Sequence, residues 1–332
     1  MTVSIIIAVK AWQKNLAVCL DKCQGLNFKD FEILVLPDKA FDSQVLPVGS
    51  APVSIIPTGP VSPAEKRDIA LCYAKAPILA FIDDDTYPDK DWLKNAVGNF
   101  SDPEIAAVGG PAITPGEDTL KARASGIIYS SFLVSGKFVY RYLPMKRQEV
   151  DDYPSCNFLV RKSIMDQLGG FKTNFWPGED TKLCLQITQE LKKKIIYDPR
   201  ALLYHHRREL FIPHIRQILS YALHRGYFAK RFPETSLRLY YFIPSIFVFL
   251  SLSGGLIGLF FEPVRFVYFI GIYIYLAIVF FTAFFLVSAQ SHDFLEKGEL
   301  VFLVWSGIIL THITYGGYFI KGLLSNKLQE EK

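Results

Sequence analysis

Short apolar runs dominate the first two hundred positions, and long ones close the chain. Residues 3–9, 31–36, 53–56, 78–82 and 105–110 are brief and rich in β-branched side chains. Each suits a buried strand. Between them the period changes. In residues 12–25, Leu16, Cys19, Leu20 and Cys23 recur at helical spacing and Gly25 supplies a stop. Residues 63–70 open with Pro63 behind a capping Ser62, and residues 91–100 also read as helix. The alternation predicts an α/β layer with a mostly parallel sheet. Further on, residues 156–161 read as a strand, followed by a helix through Leu168 and a Gly169-Gly170 turn. A helix over 181–191 and short strands at 195–197 and 201–204 follow. Residues 114–152 show no clear period and remain unassigned.

The closing runs are different in kind. Residues 239–261, 266–289 and 300–320 carry none of Asp, Glu, Lys or Arg, and each has the length of a bilayer-spanning helix. Tyr240, Tyr241, Tyr268, Tyr318 and Phe319 crowd their ends, where aromatic side chains favour the membrane interface. The preceding stretch is basic. Arg200, Arg207, Arg208, Arg216, Arg225, Lys230, Arg231 and Arg238 stand against Glu209 and Glu234. Ile215, Ile218, Leu219 and Ala222 fall on one helical face there. The expectation is an amphipathic helix lying on an anionic membrane surface. The organisation is therefore a folded domain over 1–205, a basic interfacial segment over 206–238, a transmembrane region over 239–324 and a polar tail over 325–332. The positive-inside rule places residues 1–238 in the cytoplasm, as part of a multi-pass protein of the cell membrane. Three spans would leave the C-terminus outside. Lys321 and Lys327 sit against that, and a segment lying in the interface would return the C-terminus to the cytoplasm. His312 is a costly residue inside a span and reads equally as a functional or a helix-packing group.

Composition adds little beyond this. Half of the 332 residues are hydrophobic, an excess concentrated in the closing runs. The net charge of +4 implies no nucleic-acid partner. Five cysteines without a CxxC pair read as free thiols in a reducing compartment. The apolar start reads as a first strand rather than a leader.

Candidate chemistry centres on Leu79-Ala80-Phe81-Ile82-Asp83-Asp84-Asp85-Thr86-Tyr87-Pro88. A strand ends there in three consecutive carboxylates. Ligands of open α/β sheets bind beyond the carboxyl ends of strands. Adjacent acids repel, so they are tolerated at a solvated turn or beside a hard cation such as Mg²⁺ or Mn²⁺. From these residues alone, a metal site and a charged turn are equally good readings.

The ordered set of motifs resembles family 2 glycosyltransferases. It comprises Val3-Ser4-Ile5-Ile6-Ile7, Glu32-Ile33-Leu34-Val35, Lys66-Arg67-Asp68-Ile69-Ala70, Phe81-Ile82-Asp83-Asp84-Asp85 and Gly178-Glu179-Asp180. The resemblance covers about residues 1–230, and Thr311 to Leu323 is similar to the tail of the succinoglycan-type exopolysaccharide branch. It implies a GT-A, Rossmann-like domain and an inverting transfer of sugar from a nucleotide-sugar donor. By resemblance, Asp85 ligates Mg²⁺ or Mn²⁺, Asp83 contacts the metal or ribose, and Asp84 is a further donor-side acid. His206, from the His205-His206 pair, is the expected late metal ligand. Asp38 stands at the nucleotide, although Pro37-Asp38-Lys39-Ala40-Phe41-Asp42 departs from the usual acidic pattern. Lys66 and Arg67 face the diphosphate. Asp180 is the expected base on the acceptor hydroxyl, supported by Glu179. Trp176 offers a stacking platform, and Gln217 and Arg225 approach the acceptor or diphosphate. Gln217-Ile218-Leu219-Ser220-Tyr221 lacks the Gln-x-x-Arg-Trp of processive members, which favours single-sugar transfer. The membrane region implies a lipid-linked acceptor, a polyprenyl diphosphate saccharide first and polyprenyl phosphate second. Competing readings are a nucleotidyl- or phosphotransferase, which would have no use for Asp180, and an inactive membrane scaffold.

Overall fold

A computed structural model describes residues 1–42, 46–47, 49–289 and 294–328. Residues 329–332 of the expected polar tail lie outside the described residues. The described chain falls into two compact units. One comprises Met1–Pro115 and Tyr140–His206, and the other Gly116–Val139 and Arg207–Leu328.

The first unit carries the strands β1 (Val3–Ala8), β2 (Phe31–Leu36), β3 (Val53–Ile55), β4 (Ile78–Asp83), β5 (Thr86–Pro88), β6 (Ile105–Gly109), β7 (Ala112–Ile113), β8 (Gln148–Val150), β9 (Asn157–Arg161), β10 (Lys194–Tyr197) and β11 (Leu203–His205). Eight form one sheet in the order β3-β2-β1-β4-β9-β6-β10-β8. The β3-β2-β1-β4 half is parallel throughout, as its β-branched runs predict. β9 enters antiparallel between β4 and β6. The remaining strands form a small sheet in the order β5-β11-β7.

Local chemistry explains some of the helix ends. In helix Lys14–Gln24 the expected stripe of Leu16, Cys19, Leu20 and Cys23 is buried against the sheet, and both cysteines are free thiols. Helix Pro63–Leu71 starts at Ser62, whose hydroxyl accepts from Glu65 N at 3.2 Å. Gly169 and Gly170 take φ of +74° and +96°, conformations that disfavour a Cβ. Asp68 holds the chain beyond them, accepting from Phe171 N at 2.7 Å and Lys172 N at 3.1 Å.

The second unit is helical. Helices Leu120–Ser130 and Phe132–Ser135 fill part of the unassigned stretch. The former buries Ala122, Ala124, Ser125, Gly126, Ile127, Ile128 and Tyr129, almost its whole circumference. Among the described residues, three helices are long and apolar enough to cross a membrane: Leu239–Gly258, Glu262–Ser288 and Phe294–Leu324. The basic helix is Ile212–Arg231. Of its apolar stripe, Ile218 and Ala222 are buried, while Ile215 and Leu219 are half-buried. The helix packs along Phe294–Leu324, where Gly226 and Gly322 permit close backbone approach. The stripe is thus covered in part by protein.

Candidate active site

The acidic triplet sits where β4 ends. Asp83 is the last residue of that strand, Asp84 and Asp85 form a turn, and Thr86 starts β5. The Thr86 hydroxyl closes the turn by donating to Asp83 O at 2.7 Å. β5 then pairs antiparallel with β11, setting Thr86 opposite His205. This register carries His205 to the carboxylates. Its Nε2 lies 3.2 Å from Asp85 Oδ1, and donor atoms of Asp83, Asp85 and His205 all fall within 4.8 Å of one another.

The sequence points to His206 as the late ligand, and here the structure differs. His206 donates its backbone N–H to Asp85 O at 3.0 Å, while its ring lies against Tyr87. Neighbouring side chains of a strand diverge, so only one of the pair can face the acids. Two carboxylates and one imidazole are a donor set that fits Mg²⁺ or Mn²⁺, the nitrogen favouring Mn²⁺. Asp84 points elsewhere, accepting from Gln13 Nε2. Burial, then the charges of Asp85 and Asp83, push its pKa up to about 7.

Lys66 and Arg67, expected at the diphosphate, are both buried and engaged by the protein. Lys66 Nζ meets Asp38 Oδ1 at 2.6 Å, Val9 O and Thr58 Oγ1 at 3.0 Å and Leu36 O at 3.2 Å. It ties the carboxyl ends of β1 and β2 together and fixes Asp38 at the rim. Lys66→Met is therefore expected to lower stability by about 2 kcal/mol, by removing the partner of the Asp38 carboxylate and the Nζ bond to Val9 O, while Leu36 O keeps its bond from Val9 N. Thermal unfolding of the variant beside wild type measures this.

Arg67 joins the two acidic motifs. Nη2 donates to Asp83 Oδ1 and Nη1 to Glu179 Oε1, each at 2.9 Å. Burial opposes its charge, yet Asp83 and Glu179 hold the guanidinium above its ordinary pKa. Burial also raises Asp83, with Arg67 opposing.

Gly178, at φ +120°, turns the chain into helix Glu179–Leu185. Glu179 is buried and also accepts from Gly178 N at 3.1 Å. Asp180 is half-buried at the helix start and accepts from Thr181 N at 2.8 Å and Ser155 N at 3.4 Å. Burial, then Glu179 and Asp152, push its pKa up to about 7. Asp152 comes from the stretch without period, and the Asp151-Asp152 pair was its one available sequence signal. Gln13 gave no signal. Trp176 is exposed two residues before Gly178.

Gln217 and Arg225 belong to the second unit. Gln217 Oε1 accepts from Tyr129 OH at 3.1 Å and its Nε2 donates to Tyr221 OH at 3.0 Å. Arg225 donates to Ser236 Oγ at 3.1 Å, and its guanidinium stacks 4.8 Å over Tyr241.

An α/β sheet with a carboxylate cluster at a strand end and a second acidic motif joined to it by one arginine defines a GT-A-type domain. The chain belongs to glycosyl transferase family 2, whose pattern it matches over residues 4–169. It is 31% identical over 149 residues, 45% of its length, to the pre-mycofactocin glycosyltransferase of Mycobacterium tuberculosis, in strains CDC 1551 and H37Rv. That stretch is 31% of the relative's own length. Among solved structures, the mannosyltransferase PcManGT from Pyrobaculum calidifontis, in complex with GDP-Man and Mn²⁺, superposes with a TM-score of 0.55 at 16% identity. The match covers 98% of this chain and 88% of that one, and shows a shared fold.

Proposed function

We propose that this protein is a metal-dependent, inverting glycosyltransferase that moves one sugar from a nucleotide-sugar donor to a membrane-bound acceptor. The observation that carries the reading is the Arg67 bridge between Asp83 and Glu179. It couples a candidate donor-side metal set to a candidate acceptor-side acid pair through one rigid group.

Asp83, Asp85 and His205 would hold Mg²⁺ or Mn²⁺, which offsets charge developing on a departing diphosphate. Asp38, fixed by Lys66, would receive the nucleoside. Asp84 lines the same turn. Asp180 takes the proton from the acceptor hydroxyl as that oxygen attacks the anomeric carbon, and the bond to the diphosphate breaks on the opposite side. One base on the acceptor side suffices for this displacement. Glu179 and Arg67 position the segment that carries it. Trp176 offers a face to the acceptor sugar. Lys66 and Arg67 thus serve as positioning groups instead of phosphate ligands.

The apolar helices favour an acceptor drawn from the membrane, a polyprenyl-diphosphate-linked saccharide or, second, polyprenyl phosphate. The basic residues before Leu239 favour a cytoplasmic location for the catalytic unit, in the cell membrane. The purified protein in lipid nanodiscs is expected to release nucleoside diphosphate from one sugar nucleotide, and only with a divalent cation and a lipid acceptor. The same donor with Mn²⁺ should raise the unfolding temperature, because a ligand bound to the folded state stabilises it by mass action. Donor-dependent stabilisation without turnover across a broad acceptor panel would instead support the scaffold reading.

A further inference from the structure

Helix Phe294–Leu324 has the composition of a membrane span, but its neighbours carry charge. A Cβ on Gly307 would lie 2.9 Å from Leu210, and one on Gly322 would lie 2.0 Å from Leu223 O. Between these points His214 Nε2 is 3.0 Å from Thr311 Oγ1, and beyond them Lys230 Nζ donates to Ser325 O at 2.6 Å. Residue numbers rise together along these pairs, so helix Ile212–Arg231 runs beside the last helix in the same direction. It brings Arg216, Arg225, Lys230 and Arg231 with it. Were the last helix to cross the hydrocarbon layer, this basic helix would have to accompany it. A cationic side chain at the bilayer centre costs about 2.5–3.5 kcal/mol even on the lenient insertion scale.

The directions of the other two helices give an independent constraint. Helix Leu239–Gly258 is antiparallel to Glu262–Ser288: Phe247 meets Tyr275 at 4.3 Å, and Gly254 and Gly258 meet Tyr268 and Arg265. It is also antiparallel to the last helix. Phe242 meets Phe319 at 4.8 Å, Ser245 Oγ donates to Gly316 O at 2.9 Å, and Phe247 approaches His312 at 6.5 Å. Helix Glu262–Ser288 is antiparallel to the last helix as well. Tyr275 OH is 2.9 Å from His312 Nδ1, and Val279, Ala283 and Val287 share a cluster with Leu300, Leu303 and Val304. Three helices aligned on one axis cannot each oppose the other two. The contacts are met together when the last helix lies across the base of a hairpin whose legs splay apart from His312.

We propose that two helices, Leu239–Gly258 and Glu262–Ser288, cross the membrane, and that helix Phe294–Leu324 lies in the lipid–water interface beside Ile212–Arg231. The partner of this paired-helix face is the anionic headgroup layer. The C-terminal segment then returns to the face at which the chain enters at Leu239, bringing Lys321 and Lys327 to the side already occupied by Arg225, Lys230, Arg231 and Arg238. This agrees with the preference of basic residues for one face. It also accounts for the polar residues of the last helix. His312 Nε2 lies 2.9 Å from Leu133 O, and Thr311 joins a buried chain through His214 to Ser125 Oγ. At 31 residues, or about 46 Å, the helix is longer than a bilayer core requires.

The test uses full-length protein in sealed, oriented vesicles, with Cys72→Ser to remove the exposed native thiol. Leu237→Cys, Val264→Cys and Asn326→Cys are each reacted with a membrane-impermeant maleimide and compared with the parent. Positions 237 and 326 should label from one face and 264 from the other. Labelling of 326 from the face of 264 would mean that the last helix crosses, overturning the inference. Labelling of all three from one face would mean that the hairpin does not cross, and would overturn it equally. As a second measurement, fluorophores on cysteines replacing the exposed Phe302, Leu310 and Ile320 report depth through brominated lipids. A similar shallow depth at all three is expected, whereas a maximum at 310 would indicate a span. Neither readout involves sugar transfer, so the outcome stands apart from the enzymatic reading.

Discussion

Asp180→Asn is expected to reduce sugar transfer by about 10³-fold while leaving donor affinity within about twofold. The amide keeps the shape of the side chain, and its one oxygen still accepts from Thr181 N–H, the shorter of the two bonds, while the longer bond from Ser155 N–H to the other oxygen is lost. It removes the ability to take a proton. Donor affinity should persist because the candidate metal set and Asp38 are untouched. The pH profile gives a second readout. Asp180 ionises at about 7, raised by burial and then by Glu179 and Asp152, and a base works only when ionised. The wild-type rate should therefore climb with pH up to about 7 and level off above it. Stability should move the other way. The folded protein keeps a proton that the unfolded chain has released, so this group lowers stability as pH rises from 3.8 towards about 7. The asparagine variant should lose that slope. Transfer rates and thermal unfolding across pH measure both, and near-normal transfer by the variant would remove Asp180 from the role of base.

Asp85→Ala is expected to weaken Mn²⁺-dependent donor binding on the order of 100-fold. His205→Ala should weaken it by about 10-fold, and His206→Ala by no more than about twofold. The order follows from placement: Asp85 and His205 share the cluster with Asp83, while the His206 ring lies against Tyr87. Calorimetric titration of Mn²⁺ and donor into each variant separates the adjacent histidines without reference to turnover. Equal losses for both histidines would remove the distinction that the β5–β11 register makes.

Much of the architecture was legible because the signals were local. The run Ile78 to Ile82 ends in three acids, and a buried strand with carboxylates at its end can be read from those residues alone, whereas the metal reading needed the ordered set of motifs. Ser62, Gly169 and Gly170 announced their roles in the same way, since capping and positive φ depend on a residue's own backbone. Helix Leu120–Ser130 was not legible. It is buried on nearly all sides, so it has no polar face to create a period. Of the small sheet only the strand at 201–204 is legible in the sequence, because strands as short as Ala112–Ile113 cannot display alternation.

The candidate site divides along the same line. The sequence by itself determined which groups were available: the Asp83–Asp85 triplet, Asp38, Lys66, Arg67, the Glu179-Asp180 pair and two adjacent histidines. It also determined the long charge-free runs, and with them the presence of helices suited to a membrane. Only the tertiary structure decided that His205 faces the acids, because this depends on the register of β11 against β5. Only it decided that Arg67 binds two acids 16 and 112 positions away, and that Ala222 and Ala229 of the basic helix pack with Phe319 of the last helix. Side-chain type and spacing fix what a residue can do to its own segment. Which distant groups share a charge, a proton or a buried face is set by strand pairing and helix packing, and a chain read in order does not contain those distances.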